Sequence, residues 1–224
     1  MLKIWCIIAG SLSLISFSTA FGQVAQCPVE GTATSNSGVL MACPKGDGPT
    51  LVSKGLTISV RVLNAFTHQP ISGIPANEMW LVGSHDGLYL CGGSAATHAD
   101  GATNSDGRTT FSGSLAVGGC DEGLYVVIQG SILVTESSEP YGPCNLITVP
   151  IAVRSVDLYP QPGSFTPGGD GVVSLSDWSL FVSLYQNGNY DKCADFDGSG
   201  QESIGDLTFM QAHYPQNQPQ HACP

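Results

Sequence analysis

Charge is scarce in this sequence, and positive charge scarcest. Only 11% of the 224 residues are charged, seven Lys and Arg against 18 Asp and Glu, for a formal net charge of −11. A basic footprint for nucleic acid is absent, and an anionic membrane surface would repel the chain. Long apolar runs are also missing beyond the first twenty residues, so no second segment approaches membrane-spanning length. No two cysteines stand two to four residues apart, which excludes the usual zinc-site spacing. The five histidines, His68, His85, His98, His213 and His221, are scattered. The Gly-x-Ser-x-Gly elbow of many hydrolases does not occur.

The first segment that is present reads as a leader. Lys3 is the only charged residue before Glu30, and it precedes "IWCIIAGSLSLISF" and small residues at Ser18, Ala20 and Gly22. A short basic start, a short apolar run and a small-residue exit describe a secretory signal peptide over residues 1–22. The expectation is a secreted protein, extracellular or at the cell surface. Seven cysteines follow: Cys27, Cys43, Cys91, Cys120, Cys144, Cys193 and Cys223. In an oxidising compartment most should pair, leaving one over. Local spacing favours Cys27–Cys43, Cys91–Cys120 and Cys193–Cys223.

The 28 glycines and 14 prolines suit short strands joined by tight turns. In "LTISVRVL" (56–63) Ile58, Val60 and Val62 alternate with Thr57, Ser59 and Arg61, a half-buried strand by its period of two. Further short apolar runs follow at 78–83, 87–91, 107–115, 123–130, 132–135 and 146–153. Strands at this spacing predict an antiparallel β-sandwich over residues 23–153.

After Arg154 the period changes. "DWSLFVSLY" (177–185) and "DLTFMQAHY" (206–214) carry apolar residues at helical intervals and align without gaps at an offset of 29, an internal duplication. A polar, glycine-containing loop precedes each. The second loop is "DFDGSGQESIGD". In an EF-hand-type loop, oxygen ligands come from positions one, three, five, seven, nine and twelve, with glycine at six for the sharp turn. Those positions are Asp195, Asp197, Ser199, Gln201, Ser203 and Asp206, with Gly200 at the sixth. Three carboxylates and weaker oxygens suit Ca2+, a hard cation with a flexible shell. The first copy, "TPGGDGVVSLSD", keeps Asp170, Gly171, Val172, Ser174 and Asp177 at positions five, six, seven, nine and twelve. Thr166 and Gly168 fall at the first and third, and Asp157 could replace them if "VDLYPQPGSFTPG", which reads as a linker, folds back.

Two resemblances follow from these residues. "ISVRVLNAFTHQPISGIP" with "ATNSDGRTTFSG" resembles the invasin-type bacterial immunoglobulin-like repeat, through Thr103, Gly107 and Phe111. That resemblance implies an immunoglobulin-like sandwich used for spacing or adhesion, without an active site. Residues 154–224, with two loop–helix units, Asp at the twelfth position and "CADFDGSG", resemble a dockerin module. Dockerins are calcium-folded modules that plug into cohesin domains. The resemblance therefore implies Ca2+ and a cohesin-like protein partner, read through Leu175 and Ser176 in the first copy and Ile204 and Gly205 in the second. The reading is a secreted, non-enzymatic binding or structural protein: mainly β, a sandwich followed by a small helical duplicate. Its rivals are a carbohydrate-binding module for a polysaccharide, with Trp80, Tyr89, Phe111 and Tyr125 on one face, and a hydrolase component with an unrecognised site.

Overall fold

The computed structural model describes residues 29–85, 87–135, 144–158, 169–188, 190–214 and 223. The fold is mainly β, an arrangement compatible with a sandwich. β1 (Glu30–Thr34), β3 (Ile58–Leu63), β6 (Arg108–Phe111) and β10 (Val134–Thr135) form one sheet in the order β10-β1-β3-β6. A second sheet, in the order β2-β11-β7-β5, joins β2 (Gly38–Ala42), β5 (Leu88–Leu90), β7 (Val117–Asp121) and β11 (Ile151–Ser155). The third pairs β8 (Leu124–Ile128) with β4 (Met79–Gly83) on one side and β9 (Ser131–Ile132) on the other.

Pairing departs from the all-antiparallel expectation at the margins. β1 lies parallel to β10, and β2 parallel to β11, because strands distant in sequence return beside the first two. The alternation read in "LTISVRVL" is realised: Ile58, Val60 and Val62 are buried, and Ser59 and Arg61 are half-buried. They join Leu40, Leu81, Phe111, Val117, Val126, Ile151 and Val153 in the main core.

β1, β2 and β7 were not legible as strands. β7 is "VGGCD", whose glycines weaken any propensity signal. Their reason is close approach, since a Cβ at Gly118 would collide with the Asp157 carboxylate.

Two α-helices close the described chain, α1 (Leu175–Asn187) and α2 (Ile204–His213). A second core unites them with the second sheet: Val156, Leu158, Val173, Phe181, Ala194, Phe196 and Met210 are buried together with Cys43, Cys120 and Cys193. Phe181 stacks on Phe196 at 5.6 Å, Phe196 meets Phe209 at 5.6 Å, and Trp178 stacks on Tyr214 at 5.1 Å. The described start of the stretch read as a linker is packed rather than extended. Val156, Asp157 and Leu158 are all buried, and the Gly119 amide donates to the Asp157 carbonyl at 2.8 Å.

The bridges correct two expected disulfides. Cys91 pairs with Cys223 and Cys120 with Cys193, so Cys91–Cys120 and Cys193–Cys223 are not formed. Sequence proximity favoured closing each end on itself. The tertiary fold instead lays Cys193 beside β7, and the chain end beside the segment after β5. Cys144 is disulfide-bonded as well. Cys43 is a buried thiol that burial pushes up to about 12, so the expected Cys27–Cys43 bridge is not formed either; Cys27 itself lies outside the described residues.

Candidate metal centre

The second loop is built around three aspartates. Asp206 sits in the first turn of α2, where Ser203 is the N-cap and accepts from the Gly205 amide at 3.1 Å. Asp206 Oδ2 accepts from the Ser203 amide at 2.7 Å and from its hydroxyl at 2.9 Å, closing a capping box. Its Oδ1 accepts the Asp197 amide at 3.1 Å, which folds the loop back over the helix start. Asp195 Oδ1 accepts from Ser199 N at 3.0 Å, and Oδ2 from Gly200 N at 2.9 Å and from the Tyr190 hydroxyl at 2.9 Å. Gly200 has φ +87°, the left-handed turn that the sixth position requires.

Asp195, Asp197 and Asp206 each bring a carboxylate oxygen within 4.8 Å of the others. Asp195 and Asp206 are buried and Asp197 is exposed. Like charges this close repel unless a cation or hydrogen bonds offset them. Burial works to raise the Asp195 pKa, but the bonds from Tyr190, Gly200 and Ser199 and the charge of Arg154 outweigh it, and the net shift is downward. Of the weaker expected ligands, Ser199 donates its hydroxyl to the Gln201 carbonyl at 3.0 Å, and Ser203 is occupied as the cap.

The first loop repeats this construction with an insertion. Ser174 caps α1 and accepts from Ser176 N at 3.2 Å, while Asp177 Oδ2 takes the Ser174 amide and hydroxyl at 2.7 and 2.8 Å. Gly171 has φ +85°. Asp157 occupies the place that Asp195 holds in the second loop. Its Oδ1 accepts from Asp170 N at 3.0 Å and its Oδ2 from Gly171 N at 2.7 Å, and Leu158 N donates to Asp177 Oδ1 at 2.7 Å. The chain therefore folds back, and the first-position aspartate lies far upstream of Thr166, which with Gly168 is outside the described residues. Burial, and then the charges of Asp177 and Asp170, push the Asp157 carboxyl up to about 7 despite those two amides. Asp170 accepts from Val172 N at 3.0 Å, and Val172 and Ser174 stand at the seventh and ninth positions of the same turn.

Each loop is tied to the sheets. The Cys223 amide donates to the Gly171 carbonyl at 2.9 Å, so the Cys91–Cys223 bridge reaches the first loop. Cys193 stands two residues before Asp195 and is bonded to Cys120 of β7. Arg154 of β11 is 8% exposed in its side chain and lies with Nη1 3.2 Å from Asp195 Oδ2. Sequence reading missed Arg154, because a lone arginine at a strand end carries no spacing signal.

Leu175, Ser176, Ile204 and Gly205 form the matched first turns of the two helices, where Leu175 and Ile204 are 66% and 69% exposed. Both are large apolar side chains left exposed at the duplicate positions of the two helices. The aromatics named for a sugar face do not form one row. Phe111 is buried, and Tyr89 lies on a different sheet from Trp80 and Tyr125, which are half-buried. A Ser84, His85 and Asp121 cluster also went unread in the sequence. Ser84 donates directly to Asp121 at 2.7 Å, and the His85 amide to the same carboxylate at 2.8 Å. An activated serine needs the imidazole interposed between hydroxyl and carboxylate. Here the His85 imidazole meets both groups through one nitrogen, Nδ1, 3.0 Å from Ser84 Oγ and 3.3 Å from Asp121 Oδ1, so it does not bridge hydroxyl to carboxylate through opposite ring nitrogens; the contacts clamp the turn. Burial works against the Asp121 charge, but the bonds from Ser84, His85 and Gly123 prevail and lower its pKa.

No protein-family model matches the sequence, and no curated protein matches it. Among solved structures the chain is similar to the D0-D1 domain of Intimin, at 11% identity and a TM-score of 0.29. That match covers 57% of this chain and 49% of the other, so the chain spans about half of that structure's length.

Proposed function

We propose that this is an extracellular, non-enzymatic binding or structural protein: an immunoglobulin-like sandwich carrying a calcium-stabilised, dockerin-like loop–helix pair as its docking end. The observation that carries the reading is the convergence of Asp195, Asp197 and Asp206 within 4.8 Å in a twelve-residue loop. The donors are all oxygen, which suits Ca2+ and not a thiolate- or imidazole-seeking metal. Two of the three carboxylates are buried, so a divalent cation would offset a repulsion that water cannot screen. Asp195, Asp197 and Asp206 would hold the ion, with the Gln201 carbonyl and the Ser199 and Ser203 hydroxyls as further oxygens. In the first loop Asp157, Asp170 and Asp177, with Ser174 and the Val172 carbonyl, are the corresponding oxygens, but among the described residues these three carboxylates do not converge as those of the second loop do, so the second loop is the calcium site of this reading. The disulfides support an oxidising, extracellular setting. The exposed pair Leu175 and Ile204, flanked by Ser176 and Gly205, is the surface offered to a cohesin-like protein partner.

The ion's effect is tested by thermal unfolding with and without calcium. At an ion concentration about 100 times Kd the folded state gains about 2.7 kcal/mol, a rise of roughly 5–10 °C for a domain of this size. Asp197→Ala removes an exposed carboxylate and should abolish most of that rise while leaving the calcium-free midpoint near wild type. An equal calcium response in wild type and variant would end the reading.

A further inference from the structure

Asp195 already has a cation. The Arg154 guanidinium donates through Nη1 to the Asp195 carbonyl and lies 3.2 Å from its Oδ2. Arg154 Nη2 stands 3.9 Å from Glu122 Oε1, which also pairs with Lys192 at 3.3 Å. Arg154 Nε is buried without a hydrogen-bond partner among the described residues. That is an expensive way to place a strand arginine, since a buried guanidinium normally satisfies all its donors. The expense is offset at Asp195, whose main chain and side chain both turn toward this one group. Oδ2 carries the Tyr190 hydroxyl, the Gly200 amide and the arginine, whereas Oδ1 carries the Ser199 amide. The first position of the loop is therefore held in its ligand geometry by charge supplied from the sheet.

We propose that Arg154 is a resident counter-charge that keeps the Asp195 end of the loop ordered without an ion and sets how strongly the loop depends on calcium. The proposal rests on the calcium reading of that loop. Arg154 acts by position. Register fixes it, because Arg154 pairs with Met41 of β2 and Cys120 of β7, and Cys120 is bonded to Cys193 just ahead of the loop. Guanidinium and divalent ion share one carboxylate, so each weakens the other's hold, and removal of the guanidinium transfers the whole task to the ion. The first loop offers a contrast: the described contacts of Asp157 include two amides and no cation.

The test is amide exchange at Ser199 and Gly200 in full-length wild type, Arg154→Met and Arg154→Gln, in chelator and in calcium, with direct calcium titration of each. Gln keeps a neutral polar amide but ends two bonds short of the position of Nη1, so it removes the charge at Asp195 with a side chain chemically unlike Met and guards against a misfolded Met variant. In chelator both variants should exchange these amides at least roughly tenfold faster than wild type, with β3 and β8 unchanged. Calcium should return both to the wild-type rate. Wild-type exchange in Arg154→Gln under chelator, or acceleration that calcium does not reverse, overturns the role of Arg154 while wild-type calcium binding stands. Absence of calcium binding to wild type overturns the calcium reading, and this proposal with it.

Discussion

Raising the pH in the absence of calcium should weaken this fold, and Asp157 is the reason. Its carboxyl is fully buried, sits close to Asp177 and Asp170, and titrates at about 7 against an ordinary value of 3.8. A folded-state pKa above the unfolded one means that the native protein holds a proton the unfolded chain has released. Stability from that proton is complete below about pH 4 and is lost as the pH rises through about 7. The gap corresponds to about 4 kcal/mol across the whole window, or roughly 10 °C in melting temperature for a chain of this size. Asp195 and Asp121 have depressed values, so their stabilising contribution is lost only in acid, below the ordinary carboxylate range, and does not cancel the slope. The assay is thermal unfolding in chelator from about pH 4 to pH 8, on wild type and on Asp157→Asn, which cannot ionise, with the loss expected between about pH 4 and 7 and a plateau above. Wild type should lose stability over that range, and the Asn variant should show little of that slope. A flat wild-type profile, or an equal slope in the variant, would refute the placement of Asp157 among like charges.

Further outcomes follow from the same geometry. Non-reducing peptide mapping should recover Cys91 with Cys223 and Cys120 with Cys193, and a Cys193–Cys223 peptide would contradict the docking of both loops on the sheets. Replacing Cys120 and Cys193 together by Ser should cost about 4 kcal/mol in the loop-entropy account, read from denaturant unfolding. Ser203→Ala removes a helix cap and should cost about 1 kcal/mol, with increased amide exchange confined to the start of α2; no loss would mean that the cap is idle.

Much of the architecture could be read from periodicity. Strand β3 and both helices have strong patterns, and hydrophobic spacing alone located them. The convergence of Asp195, Asp197 and Asp206 was legible because these carboxylates fall within one short uninterrupted loop, with Gly200 at a fixed offset. The first loop resisted because nine extra residues separate Asp157 from Gly171, compared with the interval from Asp195 to Gly200. Spacing rules assume an uninterrupted loop, whereas hydrogen bonds require only that the carboxylate arrive. The disulfides failed for a related reason, since pairs separated by 132 and 73 residues depend on tertiary packing. Arg154 and the glycines of β7 take their meaning from what faces them, Asp195 and Asp157, and a single sequence does not show faces.

The most direct test of the account is isothermal titration of calcium into the ion-stripped, full-length protein, beside Asp197→Ala. The account predicts saturable binding to wild type, sharply weakened in the variant, with the sandwich equally folded in both. No binding to wild type, or binding that Asp197→Ala leaves intact, would contradict it.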